Sequence, residues 1–472
     1  VQHDLVVMPQ ERPLDGSVPA PPDEDVGHLA LVVAALAEGE TELRRLSGGA
    51  HVVALVDALR SLGVSIETKS DGVTAVVGRS LRGLADPLKP VFCGGSAPTL
   101  RRLSSVLAAH PFRTVLTVDP ALPTRGMAAV AAALRRRAAQ IEGVFAGGKA
   151  GDIAAPFTVG PLAVDHALSG VEYDLSEPRY DVKETLLLSG LYADEATFVR
   201  ETIVSRDHLE RLLLALGVPI DAAGSIAALD PAAWNARIPA FSYDVPGDIA
   251  AAAFLSSAAS LVPGSRVCVR GVGLNPTRTG LMDLLRQMGG AVETTAQATC
   301  LGEAEGIVCA SYAPLRSTTM AEELLLRASD DVPALVALAA RARGTTEMVG
   351  VDDVCAAAVL AGARGFEEAQ VVRATGDTSR ADAFVDVLRA FGVSAETFEG
   401  GLVVQGRPDE PLASADIDAR GDAARASLAV LLALVARGTS RIRGVDALAA
   451  QFPRIVGTLR ALGADVRVEP RD

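Results

Sequence analysis

The stretch "VDALRSLGVSIET" (residues 56–68) places Val56, Leu59 and Leu62 at helical spacing, then a glycine, then an alternating run with Val64 and Ile66. It reads as the end of an amphipathic helix, a left-handed stop at Gly63 and a strand. Five further stretches share the form: "AAALRRRAAQIEG" (131–143), "LERLLLALGVPID" (209–221), "MDLLRQMGGAVET" (282–294), "FVDVLRAFGVSAET" (384–397) and "VGTLRALGADVRV" (456–468). Glycine stands at the stop in five copies, at Gly63, Gly217, Gly289, Gly392 and Gly463; the second copy has Ala138, so its cap is expected to differ. A second signature alternates with the first, as in "AALAEGETELRRL" (34–46), "ASLVPGSRVCVRG" (259–271) and "LVARGTSRIRGV" (434–445). Each copy is an Ala/Leu-rich helix, a tight polar turn and a strand. Each repeat therefore reads helix–strand–helix–strand, with room for extra strands, and six repeats predict an α/β protein with three repeats per domain.

Composition narrows the function. The 472 residues are 49% apolar but only 4% aromatic, and the formal charge is −14. Few stacking platforms and a negative field argue against nucleic acid and acidic membranes as partners. Any phosphorylated ligand needs a locally basic cleft. The five cysteines (Cys93, Cys268, Cys300, Cys309, Cys355) are scattered, with no C-x-x-C pair. Neither a metal site nor a disulfide framework is expected, and a reducing, cytoplasmic setting is. Apolar runs such as "ASLAVLLALVA" are too short to span a bilayer, and the first residues lack a basic, apolar signal. "GVGLNP" and "GGKAGD" lack the full spacing of nucleotide loops and read as turns, so no cofactor is expected.

"DPAAWNARIPAFSYDVPGD" (230–248) is rich in proline and turn formers and falls between the third and fourth repeats. It marks a domain break, giving 20–241 as one domain and 1–19 with 242–472 as the other. A stretch near 345–376 reads as an insertion.

The first two segments that carry a resemblance are "VPGDIAAAAF" (245–254) and "GVGLNPTRTG" (271–280). "VEYDLSEPRYDVKETLLLSGLYADEATFVRETIVSRDHLERLL" (171–213) and "RGDAARASLAVLLALVARG" (420–438) extend it in the same order. The chain resembles 5-enolpyruvylshikimate-3-phosphate (EPSP) synthases over nearly its whole length. The resemblance implies the two-domain enolpyruvyl transferase fold, an inside-out α/β barrel of six βαβαββ units with helix N-termini directed at an interdomain cleft. It also implies carboxyvinyl transfer from phosphoenolpyruvate to a shikimate 3-phosphate hydroxyl. That reaction needs cationic clamps and acid–base groups.

Many of those groups are altered. "PPDEDVGHLAL" resembles the family's "PGDKSISHRAL", so its lysine, serine and arginine fall on Glu24, Asp25 and Leu29. His28 matches and reads as structural. Exchanging Lys for Glu turns attraction into repulsion, about 4 kcal/mol per unit pair at ~4 Å and an effective dielectric near 20. In "GGSAPTLR" (94–101) a family glycine falls on Ala97 and Pro98 removes a donor, while Arg101 stays. Arg125 matches a family arginine. "SAQVK" falls on "RYDVK", leaving Arg179 and Lys183, and "SRDH" retains Ser205. The acid–base pair falls on Asp330 and Asp377, and a family arginine on Arg380. The remaining family cations fall on Gly376, Ala423, Ala424 and Ala450; Arg425, one residue on, is a candidate substitute. The chain has only four lysines, at 69, 89, 149 and 183.

Three readings follow. The first is a pseudoenzyme, binding a polarised or anionic small molecule or a protein partner, with Arg101, Arg125, Arg179, Lys183, Ser205 and Arg380 as candidate ligand residues. The second is a divergent carboxyvinyltransferase of the shikimate pathway. The third is an enzyme using Asp330 and Asp377 on another substrate. If a ligand binds, Arg125 and Arg380 are expected to hold its acidic end; otherwise they are expected to pair with Glu24 and Asp25.

Overall fold

The computed structural model describes residues 3–120, 127–145, 153–360 and 379–470. Among these residues the strands form six four-stranded sheets. The first unit comprises β14 (Ser242–Asp244), α1 (Glu24–Leu36), β3 (Glu38–Arg44), α2 (Ala50–Ser61), β4 (Ser65–Thr68) and β5 (Thr74–Arg79). The second comprises β6 (Val91–Phe92), α3 (Ala97–Leu107), β7 (Thr114–Thr117), α4 (Met127–Arg135), β8 (Ile141–Phe145) and β9 (Ile153–Val159). The third comprises β10 (Val171–Leu175), α5 (Tyr180–Gly190), β11 (Thr197–Glu201), α6 (His208–Ala215), β12 (Ile220–Ala223) and β13 (Ile226–Leu229).

The fourth unit takes β2 (Asp15–Pro19) with α7 (Ile249–Leu261), β15 (Arg266–Gly273), α8 (Gly280–Gln287), β16 (Ala291–Cys300) and β17 (Glu303–Ser311). The fifth has β18 (Thr319–Met320), α9 (Glu322–Leu326), α10 (Val332–Arg341), β19 (Thr345–Val349) and α11 (Val351–Leu360). It closes with α12 (Arg380–Ala390), β20 (Ser394–Phe398) and β21 (Gly401–Gln405). The sixth has β22 (Asp416–Asp418), α13 (Ala423–Ala433), β23 (Ser440–Arg443), α14 (Asp446–Gln451), α15 (Ile455–Ala461), β24 (Val466–Pro470) and β1 (His3–Val7).

Every sheet repeats one pattern, a parallel pair followed by antiparallel pairings; in four sheets the parallel strands are joined across a helix, and in the other two they come from distant parts of the chain. Parallel pairing requires a crossover, and the Ala/Leu helices supply it. α1 and α7 have no polar face; only Asp25 of α1, and no residue of α7, escapes burial. Such helices belong inside a layer.

The repeat signature has a structural basis. The glycines at its stop take positive φ, and so does Ala138 at 63°. The expected difference in the second cap is therefore corrected. Ala138 N donates to Arg135 O and Ala139 N to Leu134 O, the same bonds that Gly63 and Val64 make to Arg60 and Leu59. The cap geometry is kept at the expense of a strained alanine, about 1–2 kcal/mol. In five units an arginine of the last turn also reaches the strand: Arg60, Arg135, Arg286, Arg389 and Arg460 donate to the carbonyls of Ile66, Ile141, Val292, Ala395 and Val466. The third unit has exposed Leu214 there.

Buried apolar residues form two cores. One runs from Val26 to Val245; the other joins Leu5, Val7, Leu14 and Ala20 to Ile249–Val466. β2 pairs with β15 and β14 with β3, so the chain exchanges between cores at two adjacent crossings. The expected break at 241/242 thus precedes β14, whose three residues lie in a first-core sheet. In the stretch near 345–376 that reads as an insertion, Thr345–Val349 is β19 and Val351–Leu360 is α11, regular elements of the fifth unit; residues 361–378 lie outside the described residues.

The cysteine reading is corrected too. Cys268 and Cys309 form a disulfide. They stand directly opposite in the β15–β17 ladder, 41 residues apart in sequence, so no local spacing announces the pair. Cys93, Cys300 and Cys355 are free. Among the described residues no helix is long and apolar enough to cross a membrane.

Candidate functional site

The buried helices α1, α3, α7 and α13 begin with Asp23, Ser96, Asp248 and Asp422, whose side chains accept from their own first-turn amides. A helix start attracts anions because its first N–H groups lack partners. Here side chains already take those amides. Pro98 sits in the first turn of α3, and Ser96 Oγ accepts from Thr99 N at 3.2 Å.

Glu24 is buried in the first turn of α1, but it serves a neighbouring helix. Its carboxylate accepts from His51 N at 3.1 Å, in the first turn of α2, and a Cβ added at Gly49 would overlap it. The negative charge therefore rests on the positive end of α2. Asp25 points elsewhere. Its Oδ1 accepts from Arg102 Nη2 at 2.7 Å, its Oδ2 from Tyr180 Oη at 3.1 Å, and Arg206 Nη1 lies 3.7 Å from Oδ2. Burial opposes ionisation, yet Arg102 and Arg206 hold this carboxyl well below the usual range.

Arg102 is fully engaged. Its Nε donates to Glu184 at 2.7 Å and its Nη1 to His28 Nδ1 at 2.7 Å. The second nitrogen of His28 lies 2.9 Å from Thr99 Oγ1, and burial with Arg102 alongside pushes its pKa well down. His28 is thus a neutral structural bridge. Arg179, at the start of α5, donates twice to Asp181, each at 2.8 Å. Lys183 is buried between Glu201 at 2.8 Å and Glu210 at 2.9 Å, and Ser205 Oγ donates to Glu201.

Asp330 joins the two cores. Its Oδ1 accepts from Arg206 Nη2 at 2.7 Å and its Oδ2 from Arg278 Nη2 at 2.6 Å. Burial would raise its pKa, but the two guanidiniums lower it. Next to it, burial and the Asp330 charge push Asp331 well above the carboxylate range. A second junction lies at the tip of the β16–β17 hairpin. Glu303 accepts from His208 Nδ1 at 2.7 Å and from Asn275 Nδ2 at 3.1 Å, while Arg211 donates to Gly302 O. In the second core, Arg380 donates to Asp422, and Arg425 Nη1 to Ala383 O at 3.1 Å. Among the described residues no group of three or more His, Cys, Asp or Glu could hold a metal.

Residues 8–459 match the EPSP synthase family (3-phosphoshikimate 1-carboxyvinyltransferase). The chain belongs to the EPSP synthase family. A relative named 3-phosphoshikimate 1-carboxyvinyltransferase from Acidithiobacillus ferrooxidans is 34% identical over 449 residues, 95% of each chain. Another of that name from Desulforamulus reducens is 32% identical over 458 residues, covering 97% of this chain and 99% of the relative. A solved EPSP synthase from Acinetobacter baumannii superposes with a TM-score of 0.85 at 28% identity, covering 99% of this chain and 100% of that one. The enolpyruvyl transferase NikO from Streptomyces tendae shares the fold at a TM-score of 0.73 and 18% identity, with full coverage of both chains. The six-unit, two-domain enolpyruvyl transferase fold follows.

Set on the EPSP synthase pattern, the altered positions divide into two groups. Glu24, Asp25, Leu29, Ala423 and Ala424 are built into the protein interior or its ion pairs, whereas Ala97 is half-buried and Ala450 exposed. Arg101 is buried on α3 beside Arg102. Arg125, Gly376 and Asp377 lie outside the described residues. The described structure brings Asp25 and Asp330 together through Arg206, and places Arg380 on Asp422. The expected alternative paired Arg380 with Glu24 or Asp25; the acid that the structure shows on Arg380 is Asp422. Sequence reasoning passed over Arg102, Arg206 and Arg278. Arg206 and Arg278 stand inside the quoted "SRDH" and "NPTRTG" segments, and Arg102 follows Arg101, so their presence was visible but their partners were not.

Proposed function

We propose that this EPSP synthase family protein does not perform carboxyvinyl transfer and works by binding, as a pseudoenzyme. One observation carries the reading: both oxygens of Asp330, the residue aligned with the family's acid–base aspartate, are taken by guanidiniums. A carboxylate so held is a weakened base for an incoming hydroxyl. The lost cations at positions 24, 29, 424 and 450 agree with it, since two multiply charged substrates would meet few clamps. The occupant is a small polarised molecule or a protein partner.

A second reading, an active 3-phosphoshikimate 1-carboxyvinyltransferase, draws support from full-length relatives bearing that name at 32–34% identity. Phosphate release from phosphoenolpyruvate and shikimate 3-phosphate, with protein made in a host lacking its own synthase, separates the two. The first reading expects no release above buffer. Release at rates typical of enzymes would establish the second.

A further inference from the structure

We propose that Asp25 is a tethered internal ligand, its carboxylate filling an oxyanion cradle made by Arg102, Tyr180 and Arg206 that would otherwise take a free anion. The inference rests on the proposed absence of transfer and adds a cause for it. Asp25 is the one residue of α1 that is not buried, so the cradle has a way out to solvent. The donors come from three separate elements: Arg102 from α3, Tyr180 from α5 and Arg206 from the turn before α6. All three are buried, Arg102 to 2%, Arg206 to 8% and Tyr180 to 9% residual exposure. The Arg206 guanidinium lies 5.3 Å over the Tyr180 ring, which fixes the angle between two of the donors.

Convergent N–H and O–H donors with two positive charges suit a small oxyanion. A planar carboxylate on a short side chain satisfies them from within. The competing acids set the charge that the emptied cradle would accept. Glu184 keeps Arg102 Nε, and Asp330 keeps Arg206 Nη2. His28 adds no charge, since burial and then Arg102 alongside push its pKa well down. A singly charged oxyanion, such as inorganic phosphate as its monoanion, fits better than a dianion. Because Arg206 hydrogen-bonds Asp330 at 2.7 Å and forms an ion pair with Asp25 at 3.7 Å, the internal ligand also helps to hold the cores together at this point.

The test is calorimetric titration of inorganic phosphate at low ionic strength into wild type and Asp25→Ser. The variant is expected to bind roughly tenfold or more tightly than wild type, the worth of one charged hydrogen-bonded competitor removed. Adding Tyr180→Phe to Asp25→Ser should weaken phosphate by about threefold or more through loss of one donor. If Asp25→Ser fails to fold, Asp25→Asn keeps the shape without the charge, and phosphate should raise its melting temperature but not that of wild type. Wild type binding phosphate as tightly as the folded variant would overturn the inference. So would a gain that Tyr180→Phe leaves unchanged, since the anion would then sit elsewhere. Turnover by wild type is a different readout, and bears on the proposed function alone.

Discussion

Glu24 shows how a reversed charge is accommodated. A carboxylate where the family has a lysine repels anionic substrates, but against the first turn of α2 it is favourable. Glu24→Lys should therefore cost stability, about 2 kcal/mol from the lost cap and an ammonium at a positive helix end. Urea denaturation reads this directly, and an unchanged midpoint would mean that the carboxylate is not held there. His110 gives a pH-dependent case. It is fully buried, its Nδ1 lies 3.1 Å from Val106 O, and burial lowers its pKa to about 4. The unfolded chain takes this proton near pH 6.5, whereas the folded one waits until about 4. In that window the unfolded state binds more protons, so stability present above 6.5 is lost as pH falls, by up to about 1.4 kcal/mol per pH unit. His208 acts in the opposite sense, because Glu303 outweighs burial and raises its pKa. The comparison should accordingly be wild type against His110→Leu between pH 5 and 6, where the variant is expected to show the shallower slope.

Among elements, the second repeat carries the clearest flaw. Ala138 holds the left-handed stop that glycine holds in its sister repeats. Ala138→Gly should relieve about 1–2 kcal/mol of strain and return about half of it to unfolded-chain entropy, for a net gain of about 0.5–1 kcal/mol. A denaturation midpoint that fails to rise would place the strain elsewhere. The Cys268–Cys309 bond clips β15 to β17 at a half-exposed position. Changing both cysteines to serine should lower stability by about 2–4 kcal/mol through the loop of the unfolded chain. The measurement is chemical unfolding of oxidised wild type beside the double variant.

The whole molecule consists of two cores tied by polar junctions. One is Arg206–Asp330–Arg278; the other is the hairpin tip, where Glu303 accepts from His208 and Asn275. Leu301 and Cys300 at that tip pack on the first core although their strand belongs to the second. Glu303→Ala would leave a buried histidine and amide without their shared acceptor, at about 3 kcal/mol. Because the loss falls between the cores, calorimetry should show one transition in wild type and two resolved ones in the variant. A single transition, merely shifted, would mean that the cores depend on each other through other contacts.

The sequence by itself determined the repeat. Helix spacing, left-handed stops and β-branched runs are local, and six copies force six alike units whatever surrounds them. It also determined that familiar cations were gone, since a lysine replaced by Glu24 or Ala450 is missing in any fold. Tertiary structure alone decided what filled their place. Arg102 meets Asp25 across 77 residues, Arg206 meets Asp330 across 124, and Cys268 meets Cys309 across 41. Pairing of charges and thiols depends on which helix starts and strand registers converge, and that is set by packing of the six units rather than by spacing along the chain. The same holds for Ala138, whose strain is dictated by the sheet and helix that it must join.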